Sequence, residues 1–170
     1  MTAASAPLGP AARQGNTAFA TSVALLVLRL ALGWTFIYHG AQLAFGAFGG
    51  PGPENFSKAT AYPVLPAIVW AYMAAYGQFL GGVSIFVGVL ARLGALDIIV
   101  IMMVAIASVH APHGFSVQNG GYEYNFNLIA ASLAILIAGP GMISADALIF
   151  RRGLWARGPQ PLDQPMTRST

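Results

Sequence analysis

The sequence predicts an all-α membrane protein, a four-transmembrane-helix bundle running up-down-up-down with both termini in the cytoplasm. Three observations carry that prediction. Hydrophobic residues make up 56% of the 170-residue chain and charged residues only 8%, with a mean hydropathy of +0.66. Soluble domains carry about 25% charged residues, so lipid must solvate much of this surface. The apolar residues also fall into four long runs, separated by Gly/Pro-rich or polar connections. Finally, the arginines cluster on one side of those runs.

Residues 1–20 are small and polar, with Pro7 and Pro10. They are expected to be a disordered cytoplasmic segment. The long apolar run that follows shows no convincing cleavage site, so it reads as a span and not as a signal peptide. The membrane domain occupies 21–150. A span needs about 20 apolar residues. The first is expected from Thr21 to Phe45, the second from Leu65 to Leu90, the third from Leu93 to His110 and the fourth from Asn125 to Ile149. Gly46–Val64 reads as a long loop, Ala91–Arg92 as a tight turn and Ala111–Tyr124 as a polar loop. Residues 151–170 form a tail that is basic first and then, after Gly158, disordered.

Arg13, Arg92, Arg151, Arg152, Arg157 and Arg168 all fall on the side of the termini. The other side has Lys58 with Glu54 and Glu123. The positive-inside rule therefore puts the termini and the Arg92 turn in the cytoplasm. Tyr62, Trp70, Tyr122 and Tyr124 fit an outer aromatic belt, and Trp155 an inner one. The few basic residues are spread along the chain, which reads as topology and not as a nucleic-acid surface. With no cysteine, the chain itself carries no disulfide, iron–sulfur cluster or thiolate metal site.

Arg29 stands out as a charge inside the first span. Such a residue costs a few kcal/mol unless the protein solvates it. Asp97 on the third span and Asp146 on the fourth lie in the same half of the membrane. A structural ion pair of Arg29 with one of them is the expected arrangement. The alternative is an arginine that binds an anionic substrate or a quinone carbonyl.

Small residues let helices approach closely in lipid. Gly33 and Gly40 on the first span, and Gly77, Gly81, Gly82 and Gly88 on the second, supply such faces. At about 100° per residue, Arg29, Gly33, Phe36, His39 and Gly40 share one arc, which is expected to face inward.

The outer half of the membrane collects the remaining polar groups. His39 and Gln42 end the first span, Gln78 lies on the second, His110 and His113 end the third, and Tyr122, Glu123, Asn125 and Asn127 open the fourth. Histidine changes protonation near neutral pH more easily than other side chains. His39, His110 and Glu123 are therefore the candidates for proton transfer, and His39, Gln42, Gln78 and His110 for a quinone head group. The competing reading is that the histidines only cap helix ends or bond loop carbonyls. A bis-His haem is set aside, because nothing matches the depths of two ligands. No metal site is expected either, since no spacing supports one.

These residues, taken in order, resemble the DoxX family of small bacterial four-span membrane proteins. The resemblance runs from Arg29 to Asp146. It is carried by LRLALGWTFIYHGAQLAFG, with Arg29, Gly33, His39 and Gly40, and by GQFLGGVSIFVGVLAR, with Gly81, Gly82, Gly88 and Arg92. Ala105 and His110 follow on the third span. GGYEYNFNLIAASLAILIAGPGMISAD completes it, with Glu123, Gly139-Pro140-Gly141 and Ser144-Ala145-Asp146. The resemblance implies a multi-pass protein of the bacterial inner membrane. It further implies a quinone-linked oxidoreductase subunit that works with a soluble redox or sulfur-handling partner in oxidative-stress defence. A non-enzymatic anchor or assembly factor for such a partner is the alternative, and a small transporter ranks below both.

Two positions depart from the family pattern. Gln42 stands where relatives commonly have Lys, and Gln78 where they commonly have Glu. The two changes remove charges of opposite sign. A neutral amide pair is expected to replace a buried ion pair, without the cost of desolvating two charges.

Overall fold

The computed structural model describes residues 10–59 and 66–150, and these are helical without β-strand. Six α-helices follow in order: α1 (Pro10–Phe45), α2 (Gly52–Ala59), α3 (Ala67–Val87), α4 (Ala91–Ala105), α5 (Glu123–Ala138) and α6 (Ala145–Phe150). Tyr62, Trp155, the arginines at 151, 152, 157 and 168, and the terminal segments 1–9 and 151–170 lie outside the described residues.

Three helical stretches are long and apolar enough to cross a membrane: Gln14–Phe45, Ala67–Val87 and Ala91–His113. The first begins well before the expected Thr21. Pro10 suits a first helical position, and adding residues to an existing helix costs little beyond nucleation. Residues 10–20 thus continue α1, although 14–21 are exposed all round. The long loop after α1 also contains a helix, α2, whose Glu54 and Lys58 sit in its first and last turns, where each sign favours the helix dipole.

The expected fourth span is broken. α5 is a shorter apolar helix of 16 residues that stops at Ala138. Gly139 and Gly141 have φ of +80° and +78°, and Pro140 offers no N–H to continue the ladder. The chain resumes as α6, whose Ser144 hydroxyl accepts from the Ala147 N–H as an N-cap.

The α3–α4 turn also differs from expectation. It occupies Gly88–Leu90, and Ala91 and Arg92 already belong to α4. Gly88, at φ +80°, ends α3. Leu90 takes φ +51°, a left-handed conformation costing a side chain roughly 1–2 kcal/mol. Asp146 holds it there, because its carboxylate accepts the Leu90 N–H while its own N–H bonds the Gly88 carbonyl.

Packing runs from α1 to α3, from α3 to α4 and from α4 to α5, with a smaller contact between α5 and α1. Glycines make the closest approaches. A Cβ on Gly33 would stand 2.8 Å from the Phe86 backbone, and one on Gly82 would stand 2.6 Å from Ile37 N. Gly77 and Gly81 serve the other face of α3, against Asp97, Ile98 and Ile101 of α4. Leu32, Phe36, Ile85, Ile98, Met102 and Ile135 fill the centre. The outward residues are equally apolar: Leu80, Val100 and Ile137 are 61%, 54% and 76% exposed. Surfaces of this kind are suited to lipid and not to water.

Candidate functional site

The end of the bundle where α1 finishes and α5 begins holds a half-open cavity of about 240 Å³. His39, Gln78 and His110, three of the residues singled out in the sequence, line it together. They come from α1, α3 and the π turn Ile106–His110 that follows α4. Thr35, Met102, Tyr124 and Asn125 complete the wall, with Val117, Gly120 and Gly121 from the α4–α5 loop.

Each polar side chain is placed by a local cause. Gly40 brings α1 against the backbone of Phe79, which sets His39 beside Gln78. A π turn, Ile106–His110, widens the end of the third apolar stretch and leads His110 into the loop. Such turns recur at functional positions. The His110 Nδ1–H donates to the Gly120 carbonyl at 2.7 Å. That bond makes Nε2 the acceptor of the neutral ring. His39 Nδ1 likewise donates to Gln42 Oε1 at 3.1 Å.

Gln78 is 9% exposed and finds no hydrogen-bond partner among the described residues. Its amide borders the open cavity instead of packed side chains, which leaves it able to donate and accept there. Asn125, also buried, gives one N–H to Met102 Sδ at 3.4 Å and leaves its Oδ1 without a partner.

Gln42 and Gln78 do not bond each other. Gln42 takes His39 and lies outside the cavity wall, while Gln78 lies in it. The expected amide pair is thus not a direct hydrogen bond: Gln42 pairs with His39, which lines the cavity together with Gln78. Glu123 is also outside the wall. Its carboxylate accepts the Val117 N–H at 3.0 Å, closing the loop over the start of α5. His113 bonds the Val109 carbonyl through Nδ1.

Thr35, Tyr124 and Asn125 were not singled out as site residues by sequence. Thr35 precedes His39 by one helical turn, a spacing that puts both on one face. Tyr124 and Asn125 follow Glu123 directly, and only the loop path decides which of the three meets the cavity.

Arg29 sits at the opposite end of the bundle. It is 1% exposed. Its guanidinium donates to four backbone carbonyls: Ile85 at 2.9 Å, Phe86 at 3.1 Å, and Pro140 and Ile143 at 2.8 Å each. These carbonyls belong to the last turn of α3 and the loop after α5. They are among the groups that a helix end leaves without internal partners, and a cation there also suits the helix dipole. The hydrogen bonds that solvate the charge are thus to carbonyls and not to a carboxylate. Asp146 is near enough to act on it electrostatically, but its hydrogen bond goes to Leu90. Asp97 is elsewhere, against Gly77 and Gly81 on the α3–α4 interface. Arg92 repeats the Arg29 arrangement on a smaller scale, donating to the Ile137 carbonyl at the end of α5. Among the described residues no three His, Asp or Glu side chains come together as a metal-holding group.

The fold defines a multi-pass helical membrane protein, with an apolar exterior and a polar cavity at one end. Comparison with known proteins narrows this. The DoxX family model matches residues 24–111, over half the chain, and the chain belongs to the DoxX family. It is 28% identical over 134 residues to an uncharacterized protein of Haemophilus influenzae, covering 76% of this chain and 85% of that one. No solved structure matches.

Proposed function

We propose that this protein is an inner-membrane subunit of a quinone-linked oxidoreductase, working with a soluble redox or sulfur-handling partner. The observation that carries the reading is the cavity bordered by His39, Gln78 and His110. A quinone head group is a flat, mostly apolar ring with polar atoms at its edge. The cavity matches that chemistry, with an apolar wall interrupted by a few convergent polar groups. Its volume is below the roughly 300–1,000 Å³ of drug-sized pockets, which favours a one- or two-ring group.

In this reading α5 makes the fourth crossing. Its 16 residues rise about 24 Å, against a hydrocarbon thickness of about 30 Å. Both termini and the α3–α4 turn face the cytoplasm, as the arginines suggest, and the cavity faces the outer leaflet. Arg29 is a structural tie. The chain has no cysteine, so electrons come from a partner or directly from a small donor. That same absence favours a second reading, a non-enzymatic membrane anchor or assembly factor for the partner.

The test is purification with native lipids, followed by solvent extraction and quinone analysis. A stoichiometric quinone that is lost from His39→Ala and His110→Ala variants is the expected result. Absence of quinone from well-folded protein, with a soluble partner co-purifying, would select the anchor reading.

A further inference from the structure

The polar groups around the cavity are unequally divided between donors and acceptors. Every backbone N–H of the three loop residues in the wall is already used. Val117 N–H goes to Glu123, Gly120 N–H to the Val117 carbonyl and Gly121 N–H to the Ser116 carbonyl. The Thr35 hydroxyl spends its proton on the Ala31 carbonyl, leaving oxygen lone pairs. His110 donates through Nδ1 to a carbonyl, so in the neutral ring its Nε2 is an acceptor, and His39 takes the same tautomer with Gln42 Oε1 turned to its Nδ1. Asn125 donates to Met102 and keeps a free Oδ1. The donors that remain are the Gln78 amide, the second Asn125 N–H and the Tyr124 hydroxyl.

We infer that the cavity binds an aromatic diol, the reduced form of a quinone, in preference to the oxidised dione. The inference rests on the quinone-site reading and adds the redox state that the site selects. A dione brings only acceptors, and would face the lone pairs of Thr35, His39, His110 and Asn125 with no proton between them. A diol brings two O–H donors to the same positions, and its oxygens still accept from Gln78. Asn125 Oδ1 is the buried one of these acceptors, and leaving a buried acceptor unpaired costs more than an average hydrogen bond contributes, so the preference arises there from what the dione lacks and at Thr35, His39 and His110 from what the diol gains. The His110 ring cannot turn to donate from Nε2 in the neutral state without giving up the Gly120 carbonyl, which only accepts. The loop that carries Gly120 therefore sets the polarity of the site.

The test uses the whole 170-residue chain in lipid nanodiscs at pH 8, in anaerobic binding titrations. The probes are 2-methylnaphthalene-1,4-diol, the corresponding 1,4-dione and the 1,4-dimethoxy ether. The ether keeps the ring and removes both donors without any redox chemistry. The diol should bind at least about tenfold more tightly than the other two, the equivalent of roughly one hydrogen bond. His39→Ala, whose contacts are with Gln42 and Tyr38 on its own helix, should keep the fold and cut that ratio several-fold. His110→Ala should cut it further. Equal or tighter binding of the dione, or a diol preference unchanged in both variants, would overturn the inference while leaving a quinone site intact. Failure of all three probes to bind folded protein would overturn the site reading and this inference together.

Discussion

Arg29 is a cation held by the ends of other elements. Its five N–H donors lie in one plane, and four carbonyls from two segments converge on them. Lysine has one charged centre and no such fork. Arg29→Leu strands four carbonyls in a low-dielectric interior and should cost about 3 kcal/mol or more. The expected outcome is loss of folded protein, read by membrane abundance and by thermal unfolding in detergent. Arg29→Lys should recover only part of it. Normal abundance with lost activity would instead make Arg29 a ligand-binding residue. Asp146 is a gentler case, because its role is to accept the Leu90 N–H. Asp146→Asn retains an acceptor oxygen and should lower the melting temperature by a few degrees at most, whereas Asp146→Ala should lower it well beyond that.

At the scale of elements, glycines set the distances between helices. Gly88 combines a φ of +80° with direct contact to Arg29, since an added Cβ would fall 2.4 Å from Nη2. Gly88→Ala should therefore resemble Arg29→Leu in thermal unfolding, although it alters no charge. Gly40→Val should act through the other end of α1. It would force α1 away from Phe79, move His39 relative to Gln78 and weaken ligand binding even where the protein still folds. The α5–α6 break follows the same logic. Gly139, Pro140 and Gly141 do more than end a helix, because the loop they form supplies carbonyls to Arg29 and an N–H, from Met142, to the Ser22 hydroxyl of α1.

The whole molecule has two unlike ends. One is closed by Arg29, Arg92 and Asp146, and their partners are backbone groups at helix termini. The other holds the cavity and its unspent acceptors. Arg29 and His39 are ten residues apart on α1, about 15 Å along its axis. Stability and chemistry are thus separated along one helix, and variants at the two ends should behave differently: unfolding at the Arg29 end, altered ligand binding at the His39 end. The orientation of these ends in the membrane has a direct check. The chain has no cysteine, so Ser116→Cys introduces a single thiol in the α4–α5 loop. An impermeant maleimide added to intact cells should label it, while a carboxy-terminal tag stays protected until the membrane is opened.

Much of the fold was legible in the order of residues, because hydropathy and length are local properties. Apolar runs marked the helices that can span, and the arc from Arg29 to Gly40 predicted which side of α1 turns inward. Arg29, Gly33, Phe36 and Gly40 are buried, while His39 stays exposed at the cavity mouth. Composition could not reveal that Arg29 would find carbonyls in place of a carboxylate, because those carbonyls exist as free acceptors only where α3 and α5 stop. Nor could it separate His110, Tyr124 and Asn125, which meet the cavity, from Glu123, which closes the loop beside it. The sequence by itself determined the solvent of this protein, its family and the residues with chemistry to offer. The tertiary structure decided which of them share a cavity. Which residues share the cavity depends on contacts between α1, α3 and α5, segments far apart in the chain, and no local pattern encodes them.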